Sequence, residues 1–79
     1  MIKTYFTFGT DPLYPFSIYD YVVVYGEDIA DCLRKFRKKH LNPRAGREHI
    51  INCAFYYTEE KWVEQCAQYY DSEPIEVIM

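Results

Sequence analysis

The first apolar pattern along the chain is a two-residue alternation over residues 2–8, which predicts a β-strand. Residues 18–25 are rich in β-branched and aromatic side chains and predict a second strand that ends at Gly26. Residues 9–17 lie between them and contain one Gly and two Pro, which predicts a turn-rich connection. We therefore expect an antiparallel pair of strands closed by a long loop.

Apolar residues then recur at helical spacing over residues 27–40, which predicts an amphipathic helix. Asp28 is the predicted N-cap, because its carboxylate can accept from the first free N–H groups. Acidic residues occupy the first turn and basic residues the last, which suits the helix dipole. Asn42 and Pro43 should end the helix, since proline cannot continue it.

Residues 49–57 predict a third strand that is apolar on both faces and should therefore be central. Thr58 can cap a second helix from Glu59 to Tyr70, and residues 71–74 break that helix. The last strand covers residues 75–78 and should lie at an edge, because Pro74 opens it.

The predicted order is β-β-α-β-α-β in a single domain over residues 1–79. Right-handed strand–helix–strand connections favour helices on one face of a mixed sheet. We therefore expect an α+β fold of the two-layer sandwich type, with a mixed β-sheet and two helices on one face.

Composition excludes several classes of protein. An aromatic content of 19% with a net charge of −3 argues against disorder. No apolar run of about 18 residues is present, so we expect no membrane span, and without a signal sequence we expect a cytoplasmic protein. The three cysteines are widely spaced and form no metal-ligand pattern with the two histidines, so we expect no metal and no cofactor.

If both helices cover one face, the opposite face of the sheet is rich in tyrosine. Tyrosine tolerates half-exposure and is enriched at interfaces, so this face could form a homodimer, partner or ligand surface. Tyrosines that simply cover a small sheet and bind nothing are the alternative. The face would consist of Lys3, Tyr5, Tyr19, Tyr21 and Tyr25.

The charge is uneven along the chain. Residues 34–49 contain seven basic residues and one acidic residue, whereas the remainder is acidic. These cations could simply complete a solvated helix end. They could also form a site for phosphate or an acidic partner, with Arg44 and Arg47 able to fork onto phosphate oxygens. Duplex nucleic acid is an unfavourable partner, because the acidic remainder would repel it.

The connection over residues 9–17 is the third feature, since long loops in small domains often carry function. Thr10, Asp11 and Tyr14 contribute hydroxyl and carboxylate groups, but no phosphate-binding glycine motif is present. No pairing of a nucleophile with a base can be recognised in the sequence, so we expect a protein that is not an enzyme.

The motifs Tyr-Phe-Thr-Phe-Gly at residues 5–9 and Ala-Phe-Tyr-Tyr-Thr-Glu-Glu-Lys-Trp at residues 54–62 carry a resemblance. With Tyr-Val-Val-Val at residues 21–24, they make the chain resemble small uncharacterised proteins of bacteriophages and mobile elements that share a Phe-Thr-Phe-Gly strand end. The resemblance implies no catalytic residues. It implies an accessory protein of the bacterial host cell cytoplasm, and many such proteins inhibit antiviral defence.

These observations lead to three hypotheses. In the first, a phage-type inhibitor sequesters a signalling nucleotide, with arginines on the phosphates and tyrosines stacked on bases. In the second, the chain occludes a host defence protein such as a CRISPR nuclease. In the third, it is a structural homo-oligomer without a small ligand. The candidate binding residues are Tyr5, Thr10, Asp11, Tyr14, Tyr19, Tyr21, Arg37, Lys38, Arg44 and Arg47.

Overall fold

A computed structural model describes residues 1–8, 19–40 and 54–79 of the chain. The elements follow the predicted order β-β-α-β-α-β, with a short 3₁₀ turn added after the second helix, and the α+β class is confirmed. They are β1 (Ile2–Phe8), β2 (Tyr21–Gly26), α1 (Ile29–Lys39), β3 (Ala54–Thr58), α2 (Glu59–Gln65), the 3₁₀ turn (Ala67–Tyr69) and β4 (Glu76–Ile78).

The four strands form one mixed sheet in the order β3-β1-β2-β4. β1 runs antiparallel to both of its neighbours, and β4 runs parallel to β2. The edge position predicted for β4 is confirmed. Among the described strands β3 lies at the opposite edge, so the central position predicted for the third strand is wrong; residues 49–53 of that predicted strand lie outside the described residues. Its aromatic residues suggested burial on both faces, but Phe55 and Tyr56 are about half exposed.

α1 covers the face of the sheet that carries the even-numbered residues of β1 and β2. Asp28 caps the helix as predicted, since its Oδ1 accepts from the Asp31 N–H at 2.8 Å. The Phe36 ring stacks on Phe6 with centroids 4.0 Å apart. The resulting cluster, which we call the α1-side core, contains Phe6, Phe8, Val22, Val24, Cys32, Phe36 and Ile78.

α2 covers the other face. Thr58 caps it as predicted by accepting from the Lys61 N–H at 3.3 Å, but the helix ends at Gln65 and only a 3₁₀ turn follows. Trp62 stacks on Tyr5 at a centroid distance of 4.4 Å, with the rings 3° from parallel. This second cluster, the α2-side core, contains Tyr5, Tyr21, Val23 and Trp62, with Tyr25, Tyr57, Cys66 and Tyr70 packed around it.

The two helices therefore lie on opposite faces, and the sheet is the middle of three layers instead of one side of a two-layer sandwich. The strand order explains this correction. β2, β3 and β4 are mutually parallel, because both β2 and β3 are antiparallel to β1. The connection through α1 crosses the sheet from β2 to β3, and the connection through α2 crosses back from β3 to β4. Two right-handed crossovers in opposite directions place their helices on opposite faces.

The turn from β2 into α1 depends on Gly26. A Cβ at this position would lie 2.8 Å from Asp31 Oδ2 and 2.9 Å from Cys32 Sγ, both on α1. Asp31 Oδ2 also accepts from the Glu27 N–H at 2.9 Å. The absence of a side chain thus lets the first turn of α1 pack directly against the end of β2.

Candidate binding surface

α1 carries five basic residues, and three of them have partners within the protein. Lys35 Nζ donates to the carbonyl oxygens of Tyr25 at 2.8 Å and Met79 at 3.1 Å. Arg34 forms an ion pair with Asp31. Lys39 is the third, and its Nζ lies 3.5 Å from a carboxylate oxygen of Glu76 on β4. Each of these three cations therefore has a structural contact, although the Arg34 side chain also remains largely exposed.

Arg37 and Lys38 differ from the other three. Both side chains are exposed, and neither forms an ion pair with any residue in the described part of the chain. They lie one helical turn from Arg34, whose side chain is 71% exposed, so the Cβ atoms are about 5–6 Å apart. We call Arg34, Arg37 and Lys38 the basic patch. Two of its members were predicted binding residues, and their exposure fits that role, which stays a prediction.

Asp31 is the acidic residue beside the basic patch, and it forms ion pairs with Arg34 and Lys35. The Glu27 N–H donates to the carboxylate, and together with the nearby charges of Lys35 and Arg34 it lowers the pKa of Asp31 below its ordinary value. The carboxylate therefore stays ionised at neutral pH and holds Arg34. The carboxylate also lies 3.6 Å from Lys35 Nζ. It therefore pairs with Arg34 and Lys35, and it does not neutralise the charges of Arg37 and Lys38.

His40 joins the end of α1 to β4. Its Nε2 lies 2.7 Å from Glu76 Oε1, and its ring stacks on Phe36 at a centroid distance of 4.7 Å. The side chain is buried, with Phe8 on a second side at 5.9 Å. The helix predicted over residues 27–40 ends at His40, but its pattern gave no sign of the link to Glu76, which is 36 residues away.

The prediction of an open tyrosine face is wrong. Tyr5 and Tyr21 are only 8% and 9% exposed, because Trp62 and Tyr70 pack over them. The Tyr21 hydroxyl also donates to the Ser72 carbonyl at 2.8 Å. The pattern correctly placed these tyrosines on one face, but the second helix was assigned to the other.

Among the remaining predicted binding residues, Tyr19 is 71% exposed and precedes β2. The others, Thr10, Asp11, Tyr14, Arg44 and Arg47, lie outside the described residues, and their roles stay predictions.

Burial sets the chemistry of the phenols on the α2 side. It is the main cause that raises the pKa values of Tyr21, Tyr57 and Tyr70 above the ordinary tyrosine value. The Cys66 thiol adds to the shift at Tyr57 and Tyr70. These hydroxyls therefore stay protonated at neutral pH, where they act as hydrogen-bonding groups and not as bases.

A row of exposed apolar residues on and beside the last strand was not predicted from the sequence. Ile75, Val77 and Met79 are 43%, 50% and 71% exposed, and they alternate with Glu76 and Ile78, which pack toward α1. The two-residue spacing was visible in the sequence. What could not be read from it was that α2 covers the odd-numbered residues of β1 and β2 but leaves those of β4 uncovered.

Within residues 1–8, 19–40 and 54–79, no group of three or more His, Cys, Asp or Glu residues is arranged to hold a metal ion. The helices of these segments are too short or too polar to cross a membrane. No protein-family model matches the chain, and neither the curated proteins nor the solved structures include a significant match.

Proposed function

We propose that this protein is a non-enzymatic, phage-type accessory protein that inhibits a bacterial antiviral defence by binding an acidic surface of a defence protein through the basic patch. The observation that carries the proposal is the difference among the α1 cations. Arg37 and Lys38 are exposed without an ion pair in the described segments, whereas Lys35 and Lys39 are engaged by carbonyl and carboxylate oxygens.

Charge on one side of a helix favours association with a partner of opposite sign. Exposed cations steer the encounter and fix the register, and cations that become buried against carboxylates on binding can each contribute a few kcal/mol to affinity. The spacing of the basic patch, about 5–6 Å between neighbouring Cβ atoms, lets one acidic segment contact all three side chains. The phage context of the proposal comes from the resemblance described for residues 5–9, 21–24 and 54–62.

A protein partner is favoured over a nucleotide because of the α2-side core. Sequestration of a nucleotide required tyrosine rings free to stack on its base. The Tyr5 ring is already stacked on Trp62, and the Tyr21 ring packs at a tilt against Trp62 and edge-on against Tyr70. An acidic protein surface needs no such rings, and the basic patch alone can engage it.

Phage plating tests the proposal. Bacterial strains that each carry one defence system are challenged with phage, with and without expression of the protein. We expect plating to be restored by at least tenfold in one or more strains, and Lys38→Glu to abolish the restoration. Lys61→Glu is the matched control, because Lys61 is also an exposed lysine on a helix but lies on α2.

The two variants distinguish the basic patch from overall charge, since each changes the net charge by the same amount. Equal loss with Lys38→Glu and Lys61→Glu would contradict a role for the patch, and no restoration in any strain would contradict inhibition of those systems. Calorimetry with cyclic dinucleotides and cyclic ADP-ribose isomers addresses the nucleotide alternative. Binding heat at micromolar protein would favour sequestration over the protein partner.

A further inference from the structure

α2 presents an acidic surface on its outer side. Its Trp62 is buried against the sheet, and Glu60 and Glu64 lie about 160° around the helix from Trp62, because successive residues turn by about 100°. Both side chains are exposed, and neither forms an ion pair with a residue in the described part of the chain. With Glu59 and Lys61, the exposed charges of the helix sum to −2, from three acids and one base. We call Glu60 and Glu64 the acidic pair.

α1 presents the opposite charge with the same spacing. Its buried Phe36 faces the sheet, which places Arg34 and Lys38 of the basic patch about 160° around the helix from Phe36. These two residues are four apart, as are those of the acidic pair, so each set has Cβ atoms about 5–6 Å apart. The three cations of the patch, less the Asp31 carboxylate that pairs with Arg34, leave a charge of +2. The two outer surfaces therefore match in charge and in spacing.

We infer that the acidic pair of one copy of this chain docks on the basic patch of a second copy. Charge complementarity between two surfaces of the same molecule is the reason for assigning a second copy as the occupant. The equal spacing lets both carboxylates meet a cation whether the two helices run parallel or antiparallel. Val63 is 68% exposed and three residues from Glu60, so it offers apolar surface to the aliphatic stems of the incoming Arg and Lys side chains.

The placement of the helices determines the form of the assembly. Because α1 and α2 lie on opposite faces of the sheet, one copy cannot make both contacts with the same neighbour. The contact is therefore heterologous, and successive copies add head to tail. Each exposed ion pair contributes little by itself, so we expect association only at about 0.1–1 mM protein and at low ionic strength.

The inference goes beyond the proposed function, although it involves the same basic patch. A second copy of the chain competes with the defence protein for this patch. The two proposals can fail separately, because sedimentation of the purified chain reports only self-association, whereas phage plating reports only inhibition of a defence system.

Sedimentation velocity of the purified chain tests the inference. At an ionic strength of about 0.01 M, where charges act over about 30 Å, we expect the sedimentation coefficient to rise with concentration without levelling off at a dimer. At about 1 M, where the screening length is about 3 Å, we expect a monomer. A wild-type chain that stays monomeric at low ionic strength would overturn the inference. So would association that is unchanged at high ionic strength, because charge would then not be its cause.

Exchange of the charges between the two surfaces gives a sharper test. The double variant Arg37→Glu/Lys38→Glu reverses the charge on α1, and Glu60→Lys/Glu64→Lys reverses the charge on α2. Each variant alone should stay monomeric, because like charges then face each other, whereas an equimolar mixture should associate at low ionic strength as the wild type does. A mixture that stays monomeric would overturn the pairing of these two surfaces. Lys38→Glu and Glu64→Lys make a weaker form of the same exchange where a double variant does not fold.

Asp71→Lys/Glu73→Lys is the matched control for net charge. It replaces two acids by two bases, as Glu60→Lys/Glu64→Lys does, but at exposed residues that follow the helix. This control should associate like the wild type, and a loss equal to that of Glu60→Lys/Glu64→Lys would contradict a specific role of the acidic pair. Circular dichroism verifies that each variant is folded, which is expected because every substituted side chain is exposed.

Discussion

The two faces of the sheet are packed with different chemistry. The α1-side core is made of Phe, Val, Cys and Ile, and its main contact is the stack of Phe36 on Phe6. The α2-side core is made of tyrosine and tryptophan around one valine, and its main contact is the stack of Trp62 on Tyr5. Each face buries aromatic rings, but only the α2 side combines them with phenol hydroxyls.

The two helices are therefore held against the sheet by interactions that depend differently on pH. Burial of the apolar Phe, Val and Ile side chains on the α1 side is insensitive to pH. On the α2 side the buried rings themselves carry ionisable groups, and their pKa values are raised. We therefore expect alkali to weaken the attachment of α2 before that of α1.

The largest effect should follow from removal of the central ring of the α1-side core. Phe36 is 0% exposed, and Phe36→Ala should lower the free energy of unfolding by about 3–5 kcal/mol, which a small domain can hardly tolerate. Urea unfolding followed by Trp62 fluorescence measures this. The control Phe55→Ala, at an exposed position, should change stability by no more than about 0.5 kcal/mol. If Phe36→Ala and Phe55→Ala lowered the free energy of unfolding by similar amounts, the α1-side core would not be a main source of stability.

Alkaline pH should have the next largest effect. The folded-state pKa values of Tyr21, Tyr57 and Tyr70 exceed that of unfolded tyrosine, about 10. Their contribution to stability is therefore fully present below pH of about 10 and is lost as pH rises through the folded values. Urea midpoints measured across this range should fall. Tyr70→Phe should reduce the fall, whereas Tyr69→Phe, at a 71% exposed position, should not.

The helix caps should differ by a smaller amount. Asp28→Ala removes a 2.8 Å bond at the start of α1 and should cost about 1 kcal/mol. Thr58→Ala removes a 3.3 Å bond at the start of α2, and we expect a smaller loss because that bond is longer. Thermal unfolding of the two variants makes the comparison. A larger loss of stability for Thr58→Ala than for Asp28→Ala would show that α2 depends on its cap more than α1 does.

Thr4 offers a stabilising substitution. It is 0% exposed, and its hydroxyl oxygen has no hydrogen-bond partner among the residues that the structure describes. Thr4→Val removes an unsatisfied group and keeps the shape, so we expect stability to rise by about 1 kcal/mol. Thr7→Val is the control, because the Thr7 side chain hydrogen-bonds Tyr57 and its loss should destabilise the protein. A destabilised Thr4→Val variant would mean that the hydroxyl is engaged in solution.

Acid should produce the smallest effect, because the ion pairs of Asp31 are close to solvent. The folded-state pKa of Asp31 is lowered, so its contribution is present above the unfolded value of about 4 and is lost as pH falls through the folded value. The stability difference between wild type and Asp31→Asn should therefore shrink in acid. The stability difference between wild type and Glu64→Gln, at an exposed site on α2, should not shrink in this way.

Local structure was largely predictable from the sequence. Alternation defined β1 and the shared face of Tyr5 and Tyr21, and short-range hydrogen bonding identified Asp28 and Thr58 as caps. These features depend on neighbours within a few residues, and the corresponding physics is local.

The arrangement of the elements was less predictable. An apolar stripe shows that one side of a helix is buried, but it does not show which face of the sheet that side packs against. The aromatic pattern of β3 suggested a central strand, and with the strand order wrong, the handedness rule gave the wrong face for α2. The contacts of the candidate binding surface were also only partly predictable. Arg37 and Lys38 could be identified from charge, but the engagement of Lys39 by Glu76 depends on a contact across 37 residues.

The close approach at Gly26 has a consequence for sequence variation. Any side chain there would enter space occupied by Asp31 and Cys32, whereas the next residue, Glu27, is exposed. In a saturation library selected for folded protein, position 26 should retain glycine almost alone, while position 27 accepts most amino acids. This difference between neighbouring positions would identify, from the selected sequences alone, the place where α1 packs directly against the end of β2.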